Sequence, residues 1–282
     1  MIKKIFLFVM FLQSASYASF MIQGTAVSPN PVFQGDSIQI LVYSTVTPSI
    51  YYRDQWQPLY RVPDKNPVGL FRFILGVPLE DAPHEEKIFI KAGAIKKEVF
   101  YQIVKKDFPF SRIDLPKTQG ELFDGRLNTE NAQMAPHYKL KTLEQHWQKQ
   151  FILPAKGVVS SGHGFRRDYY IDGKKSSHWS HKGLDIAAPQ GTKVRAPNAG
   201  KIVLAKEFSA HGKTIMIDHG QGVVSVLIHL YEMKVKEGDW VKKGQEIALM
   251  GSSGIATGSN VHWGLSVNGI RVNPLQWVEY EF

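Results

Sequence analysis

Residues 214–229 read Thr214-Ile215-Met216-Ile217-Asp218-His219-Gly220-Gln221-Gly222-Val223-Val224-Ser225-Val226-Leu227-Ile228-His229. Two runs of β-branched and apolar residues flank a short turn with two glycines, a pattern typical of a tight antiparallel hairpin. Residues 245–250 repeat the β-type pattern, and glycines recur at short intervals between residues 200 and 264. Helical periodicity is almost missing from this part of the chain. The pattern therefore predicts an antiparallel β-domain over residues 151–282.

The preceding segment, residues 19–108, also consists of short β-type runs broken by turns. Residues 37–43 alternate and are rich in β-branched and aromatic side chains, and residues 71–75, 87–91 and 99–103 repeat the theme. Several short strands within one segment predict a β-sandwich of immunoglobulin type. Since the chain has no cysteine, this prediction depends on the spacing of the strands alone. We expect this domain to act as a spacer or docking module.

Residues 109–150 are more polar and form the predicted connector. Apolar residues recur there at roughly helical spacing, namely Ala132, Met134, Leu140, Leu143 and Trp147. Pro136 interrupts this pattern, which predicts one helix after the proline and a short one before it. We expect the connector to pack on one of the two domains, with His137 and His146 on its surface. The predicted fold class is mainly β, with a short helical connector between two β-domains.

Residues 1–18 have the anatomy of a signal peptide. Lys3 and Lys4 precede an apolar run over residues 5–12, and Ser16-Tyr17-Ala18 places small residues at the two positions that a signal peptidase recognises. The run is too short to span a bilayer about 30 Å thick. The pattern therefore predicts an exported protein, in the periplasm or cell envelope or outside the cell. No second apolar stretch is long enough to anchor the mature chain, which we expect to be a monomer without stable membrane insertion.

The composition narrows the possible chemistry. Without cysteine, disulfide scaffolds, thiol nucleophiles and cysteine-rich metal sites are excluded, so any metal must be held by His, Asp or Glu. The formal net charge is +9, of which residues 1–150 contribute +4 and residues 151–282 contribute +5; without the signal peptide it falls to +7. No basic helix or stacking-aromatic motif stands out. We therefore expect an anionic partner but no nucleic acid.

Seven of the ten histidines follow residue 151: His163, His178, His181, His211, His219, His229 and His262. His181 and Asp185 flank Gly183, which favours a loop feeding a strand over a helix; either way their side chains can converge on one ion. Alone, such a pair is a weak signal.

In a strand, Asn260 and His262 point to the same side. His229 ends an apolar strand, where a histidine is more often structural than catalytic. Two histidines and one aspartate make three ligands, the number that a catalytic zinc requires.

The segment from about residue 151 onward resembles a known family. The matching motifs run in order: Val158-Val159-Ser160-Ser161-Gly162-His163-Gly164-Phe165-Arg166-Arg167, His181-Lys182-Gly183-Leu184-Asp185-Ile186-Ala187-Ala188-Pro189, Leu227-Ile228-His229-Leu230 and Val261-His262-Trp263. Together they resemble the lysostaphin-type (LytM-like) zinc metallopeptidases, which cut peptide cross-links in bacterial peptidoglycan. The β-domain that precedes them resembles, more weakly, the domains found ahead of this module in some family members.

The resemblance implies a set of site residues. His181, Asp185 and His262 match the zinc ligands of the family, and His229 matches its non-ligand active-site histidine. Asn260 departs from the usual histidine; asparagine can donate or accept a hydrogen bond but cannot take up a proton. For the remaining histidines we expect packing for His163, a turn for His219, and exposed positions, possible linings of the cleft, for His178 and His211.

The resemblance also implies a mechanism. Zinc lowers the pKa of its bound water towards about 7, so that the water becomes the nucleophile, and it polarises the scissile carbonyl. His229 is expected to stabilise the tetrahedral intermediate or to pass a proton to the leaving amine. Asn260 is expected to orient the water or to hold the oxyanion. The predicted substrate is the peptide cross-link of peptidoglycan, whose carboxylates suit a modest positive charge.

Two alternatives remain open. The first is a catalytically impaired wall-binding protein with the same fold, which regulates other cell-wall hydrolases; Asn260 favours it, whereas the intact ligand set disfavours it. The second is a biotinyl- or lipoyl-type carrier, since residues 235–244 are similar to part of those domains and Lys234 superficially matches the modified lysine. Lys234 runs straight into the next motif with no strand between, which disfavours a carrier, and an intact mass without a cofactor adduct would exclude one.

Overall fold

The structure, a computed structural model, describes residues 22–63, 68–115 and 117–282 of the 282-residue chain. The predicted signal peptide, residues 1–18, lies outside the described residues. Within the described part of the chain, no helix is long and apolar enough to cross a membrane.

The N-terminal region forms two packed β-sheets. Its strands are β1 (Ile22–Ser28), β2 (Val32–Phe33), β3 (Ser37–Ser44), β4 (Ser49–Tyr52), β5 (Gln55–Pro58), β6 (Tyr60–Val62), β7 (Gly69–Gly76), β8 (His84–Ala92) and β9 (Ile95–Val104). One sheet has the order β1-β3-β7-β6 and the other β2-β9-β8-β4-β5. Alternate residues such as Ile38 and Ile40 of β3 and Ile88 and Ile90 of β8 face one shared apolar core.

The remainder of the chain contains two helices and thirteen strands among the described residues. They are β10 (Phe110–Leu115), α1 (Lys117–Met134), β11 (Val158–Ser161), β12 (Arg166–Ile171), β13 (Lys174–Ser180), β14 (Leu184–Ala187), β15 (Lys193–Arg195), β16 (Gly200–Glu207), β17 (Lys213–Gly220), β18 (Val223–Met233), β19 (Trp240–Val241), β20 (Glu246–Met250), β21 (Asn260–Val267), β22 (Ile270–Val272) and α2 (Pro274–Glu279). The predicted fold class, mainly β with an antiparallel C-terminal domain, is confirmed.

The C-terminal domain is organised around one ten-stranded sheet with the main order β11-β14-β21-β18-β17-β16-β19. All pairings within this sheet are antiparallel, and strand β20 joins β18 to β15. The hairpin predicted over residues 214–229 forms β17 and β18, whose apolar residues are almost entirely buried. A smaller sheet, β10-β12-β13, stands beside it, and β10 pairs in parallel with β12. Strand β10 of the predicted connector therefore joins the C-terminal domain.

The turn of the β17–β18 hairpin requires glycine at position 220. Gly220 has φ of +88°, the left-handed region that favours glycine, and a Cβ there would collide with the backbone carbonyl of Glu144. The connector packs directly on this turn. Gln221 in the turn donates its backbone N–H to the carbonyl of Thr142 in the connector at 2.7 Å. The hairpin thus serves as a platform for the connector.

The prediction for the connector helix was wrong in position. The helix α1 ends at Met134, before Pro136, and only a 3-10 turn, His137–Lys139, follows the proline before β11 begins. Tertiary packing overrides the apolar spacing in this segment. Trp147 is drawn into the C-terminal core, with its ring 6.0 Å from that of Trp277, whereas Leu143 remains exposed. His137 and His146 are half-buried rather than on the surface.

The two β-domains contact each other directly. Ile74 of β7 belongs to the apolar cluster of the C-terminal domain, and a Cβ on Gly76 would press against Ile270 and Val272. The indole N–H of Trp277 on α2 donates to Ser37 Oγ at 3.0 Å. This contact holds the sandwich against the sheet that carries the candidate site. The predicted domain bounds, 19–108, 109–150 and 151–282, stay predictions.

Candidate metal centre and cleft

Two neighbouring strands bring the predicted ligands together. Asp185 on β14 and His262 on β21 are direct partners in the antiparallel register. Side chains of such directly opposed residues lie on the same face of the sheet. His181 lies in the loop that leads into β14, as the glycine at position 183 favours, and it is 7% exposed. A loop and two adjacent strands of one sheet therefore position all three side chains.

The three side chains converge on one point. His181 Nε2 lies 3.0 Å from Asp185 Oδ1 and 2.9 Å from His262 Nδ1, and the distance from His262 Nδ1 to Asp185 Oδ1 is 2.8 Å. Ligands at about 2.0–2.1 Å from a tetrahedral zinc are roughly 3.3 Å apart, which follows from the tetrahedral angle. The observed triangle is smaller by a few tenths of an ångström. Its size fits a small divalent cation.

The protonation of His181 gives a second test of this fit. Its Nδ1 lies 2.8 Å from the carbonyl oxygen of Gly162, which can only accept, so Nδ1 carries the proton. In the neutral ring, Nε2 then directs a lone pair at the carboxylate of Asp185, which is also an acceptor. Two acceptors that face each other are stabilised by a cation between them. The donor set thus suits a metal, and His181, Asp185 and His262 form a metal-compatible group among the described residues.

The two carboxylate oxygens of Asp185 have different partners: Oδ1 faces the two histidines and Oδ2 faces Arg167. Its Oδ2 accepts a hydrogen bond from Arg167 Nη2 at 2.6 Å, and the same nitrogen lies 2.6 Å from Ser161 Oγ. Burial by itself would raise the pKa of Asp185, but the closeness of His181 and His262 outweighs it and holds the pKa well below its usual range. The carboxylate is therefore ionised at neutral pH and fixed in orientation.

His262 is neutral at physiological pH. Burial lowers its pKa to about 3, against the opposing influence of the Asp185 carboxylate. A neutral imidazole is the form that binds a metal. His262 can therefore act as a ligand without first losing a proton.

His229 lies beside this triangle in a strained conformation. It has φ of +66°, in the left-handed region that non-glycine residues rarely adopt, although it belongs to strand β18. Its Nδ1 donates to the carbonyl of Ser253 at 2.8 Å, and burial lowers its pKa. The ring is therefore neutral with a lone pair on Nε2. Backbone strain of this kind often marks a functional position.

A cleft of about 430 Å³ joins these groups. Its lining includes the three side chains of the triangle together with three further polar residues, His229, Asn260 and His211. Asn260 begins β21 and donates from Nδ2 to the carbonyl of Gly258 at 2.8 Å. Side chains from outside the main sheet also line the cleft, namely Ser111 and Ile113 of β10 and Leu127 of α1. The connector therefore forms part of the cleft wall.

The other histidines occupy distinct environments. His163 is buried, as expected for packing. His178 is exposed, with Nδ1 2.7 Å from Asp168 Oδ1, and it is absent from the cleft lining. The turn predicted for His219 was wrong: the residue is fully buried in β17, with Nδ1 2.7 Å from the carbonyl of Ala199 and Nε2 2.8 Å from Ser225 Oγ. The β17 strand extends further than its apolar run suggests.

The exposed position predicted for His211 was also wrong, although the alternative that it lines the cleft was right. Its side chain is 12% exposed and pairs with Glu130, with 2.7 Å between Nδ1 and Oε2. Sequence reasoning missed Glu130 and Arg167. Glu130 is one acidic residue in a polar segment and gives no signal. Arg167 follows immediately on Arg166 inside a matched motif, but the motif does not show which arginine turns inward.

Comparison with known proteins defines the class. Residues 179–274 match the profile described as Peptidase family M23. The chain carries a Peptidase M23 domain, and the family resemblance predicted from the sequence is confirmed. The matched segment contains His181, Asp185, His229, Asn260 and His262.

Relatives agree with this assignment. The chain is similar to a protein named "Uncharacterized metalloprotease" from Haemophilus influenzae, at 29% identity over 200 residues, 65% of this chain and 42% of that protein. It is 35% identical over 135 residues to the peptidoglycan DD-endopeptidase ShyA of Vibrio cholerae, 48% of this chain and 30% of that protein. The chain thus spans less than half the length of these curated relatives.

A solved structure extends the similarity to most of the chain. The crystal structure of a putative peptidase M23 from Pseudomonas aeruginosa matches with a TM-score of 0.62 and 26% identity, covering 90% of this chain and 92% of that one. The matched fold therefore includes the larger part of the N-terminal sandwich as well as the M23 domain.

Proposed function

We propose that this protein is an exported zinc-dependent endopeptidase that hydrolyses peptide cross-links of bacterial peptidoglycan. The observation that carries the proposal is the triangle of His181 Nε2, Asp185 Oδ1 and His262 Nδ1, with sides of 2.8–3.0 Å, at a cleft that His229 also lines. Relatives named peptidoglycan DD-endopeptidases support the substrate class.

Each residue of the cleft has a separate role in the proposed hydrolysis. Zinc held by the triangle would polarise the scissile carbonyl and make water a better nucleophile near neutral pH. His229 Nε2 takes a proton from the attacking water and gives it to the amide nitrogen as the C–N bond breaks. Asn260 orients the water or donates a hydrogen bond to the developing oxyanion. Arg167 keeps the Asp185 carboxylate turned towards the two histidines.

The decisive experiment is mass analysis of the products from purified peptidoglycan incubated with the zinc-loaded protein. We expect soluble fragments that carry a new free amine at a former cross-link. Protein that binds zinc stoichiometrically but releases no fragment would contradict the proposal.

The second candidate is a wall-binding protein with impaired catalysis that regulates other hydrolases. The observation that favours it is Asn260, which cannot take up a proton where the family usually has histidine. In that case the protein would sediment with peptidoglycan and leave its cross-links intact.

A further inference from the structure

The helix α1 places a buried carboxylate behind the cleft. Glu130 is 6% exposed and accepts three kinds of hydrogen bond from one loop: the backbone N–H of Ala210 at 2.9 Å, the backbone N–H of His211 at 3.0 Å, and Nδ1 of His211 at 2.7 Å. One turn later on the helix, Met134 is also buried and packs in the cluster that contains Phe208 and Ile228. The helix therefore holds both the loop and the ring of His211 in place.

The charges of this pair determine the tautomer of His211. Burial would raise the pKa of Glu130, but the hydrogen bonds from Ala210 and His211 outweigh it and lower the pKa, so the carboxylate is ionised. Burial lowers the pKa of His211, against the opposing influence of Glu130. The imidazole is therefore neutral near pH 7, with the proton on Nδ1 facing Glu130 and a lone pair on Nε2. The other ionisable groups that act on this ring are His229 and Arg271.

His211 faces the same cleft as the groups of the proposed reaction. It lines the cavity beside His229, and its backbone carbonyl accepts the N–H of His229 at 3.2 Å. Among the described residues, the structure shows no hydrogen bond to Nε2 of His211. The ring is thus arranged like that of His229: Nδ1 donates to an oxygen of the protein, and Nε2 is left without such a partner.

We propose that His211, oriented by Glu130, is the second acid–base histidine of this cleft and supplies the proton-accepting atom that Asn260 lacks. The inference rests on the proposed function. Hydrolysis of an amide to a carboxylate and an ammonium moves both protons of one water to the amide nitrogen. His229 carries the first proton as the C–O bond forms and the C–N bond breaks. His211 Nε2 takes the second from the oxygen that came from water and gives it to the released amine.

The test compares kcat and KM on peptidoglycan fragments for four proteins: the wild type, His211→Asn, Asn260→His and the double variant. We expect His211→Asn to lower kcat by about 10²-fold, the usual loss of one acid–base group, with KM within about twofold and zinc content unchanged. Asn260→His alone should raise kcat a few-fold, because it adds a proton-accepting atom to the cleft. In the double variant it should restore at least about tenfold of the loss, because it returns a histidine to the cleft.

The chain offers a matched control for the pair. His178 and Asp168 form a carboxylate–histidine contact of the same length, 2.7 Å, outside the cleft. His178→Asn should leave kcat unchanged. Glu130→Gln should lower kcat and shift the acidic limb of the kcat/KM profile to lower pH, since Glu130 raises the pKa of His211. Ring ¹⁵N NMR at pH 7 should show Nδ1 protonated in the wild type and loss of this single tautomer in Glu130→Gln.

The outcomes separate the two proposals. A wild type that cleaves peptidoglycan while His211→Asn cleaves equally fast overturns the role of His211 alone. A loss of zinc or of melting temperature in His211→Asn that Asn260→His does not rescue also overturns it, because the role would then be structural. A wild type that releases no fragment overturns the proposed function and with it the role of His211, whereas the NMR result would still decide the tautomer.

Discussion

Two groups of side chains meet in the cleft, and they are assembled in different ways. The ligand cluster, His181, Asp185 and His262, comes from two adjacent strands and the loop before them. The Glu130–His211 pair joins the connector helix α1 to the loop between β16 and β17, and the partners are 81 positions apart along the chain. Register within one sheet determines the first, whereas the docking of a separate segment determines the second.

Each group has a supporting charge behind the residue that faces the cleft. Arg167 binds the outer oxygen of Asp185, and Glu130 binds the inner nitrogen of His211. Such outer partners fix orientation and are energetically important although they do not touch the reacting atoms. The comparison teaches that the candidate ligands are local to the C-terminal domain, whereas the proposed role of His211 depends on the connector.

The largest effect is expected from breaking the ligand cluster. Asp185→Ala removes one of three ligands and leaves Arg167 without its carboxylate, so zinc binding and cross-link cleavage should both fall below detection. Metal analysis of the purified protein and product mass spectrometry check this. Asp107→Ala, at a carboxylate that is 91% exposed, is the matched control and should behave as wild type. Cleavage by Asp185→Ala in zinc-depleted buffer would contradict the assignment of the ligand.

The next largest effect should follow from replacing His229. His229→Asn suits the test because asparagine tolerates the left-handed backbone at φ +66° better than most residues. We expect kcat to fall by about 10²–10⁴-fold with zinc content unchanged, which separates acid–base chemistry from metal binding. Steady-state kinetics and metal analysis give both values. Unchanged kcat would assign His229 a structural role only.

A histidine that belongs to neither group should affect stability instead. Burial lowers the pKa of His219 to about 4 from the ordinary 6.5. The unfolded chain therefore binds the proton first as the pH falls, and stability is lost between about pH 6.5 and about pH 4, by about 3 kcal/mol. His219→Gln should remove that part of the pH dependence, measured by urea unfolding of the metal-free protein. An equally steep loss in the variant would show that other groups cause it.

The smallest effect is expected from the support of the ligand cluster. Arg167→Met keeps most of the side-chain volume but removes both contacts of Nη2, to Asp185 and Ser161. We expect zinc affinity to fall by about 10–100-fold, in the range for outer partners of metal ligands. Competition with a chromophoric chelator measures it, and the exposed neighbour in Arg166→Met serves as control. Equal affinities in the two variants would mean that the carboxylate needs no such support.

The sequence was informative where the relevant physics is local. The apolar runs and glycine turns around residues 214–229 predicted the hairpin, because hairpin register depends on neighbouring residues. Strand alternation placed Asn260 and His262 on one side, and Gly183 favoured a loop before β14. The connector was predicted less accurately, since the apolar spacing that includes Leu140, Leu143 and Trp147 implied a helix, whereas residues 140–150 are not helical and only Trp147 is buried in the core.

By itself, the amino-acid sequence determined the mainly β fold, the restriction of any metal to His, Asp or Glu ligands, and the candidate ligands His181, Asp185 and His262. The first two depend on composition and on spacing along the strands, whereas the ligands depend also on the resemblance of the surrounding motifs to a known family. Only the tertiary structure decided that His211 lies in the cleft wall, that Glu130 holds it, and that Arg167 rather than Arg166 supports Asp185. Those contacts join segments distant along the chain, and their geometry is set by the packing of α1 and β12 against the main sheet.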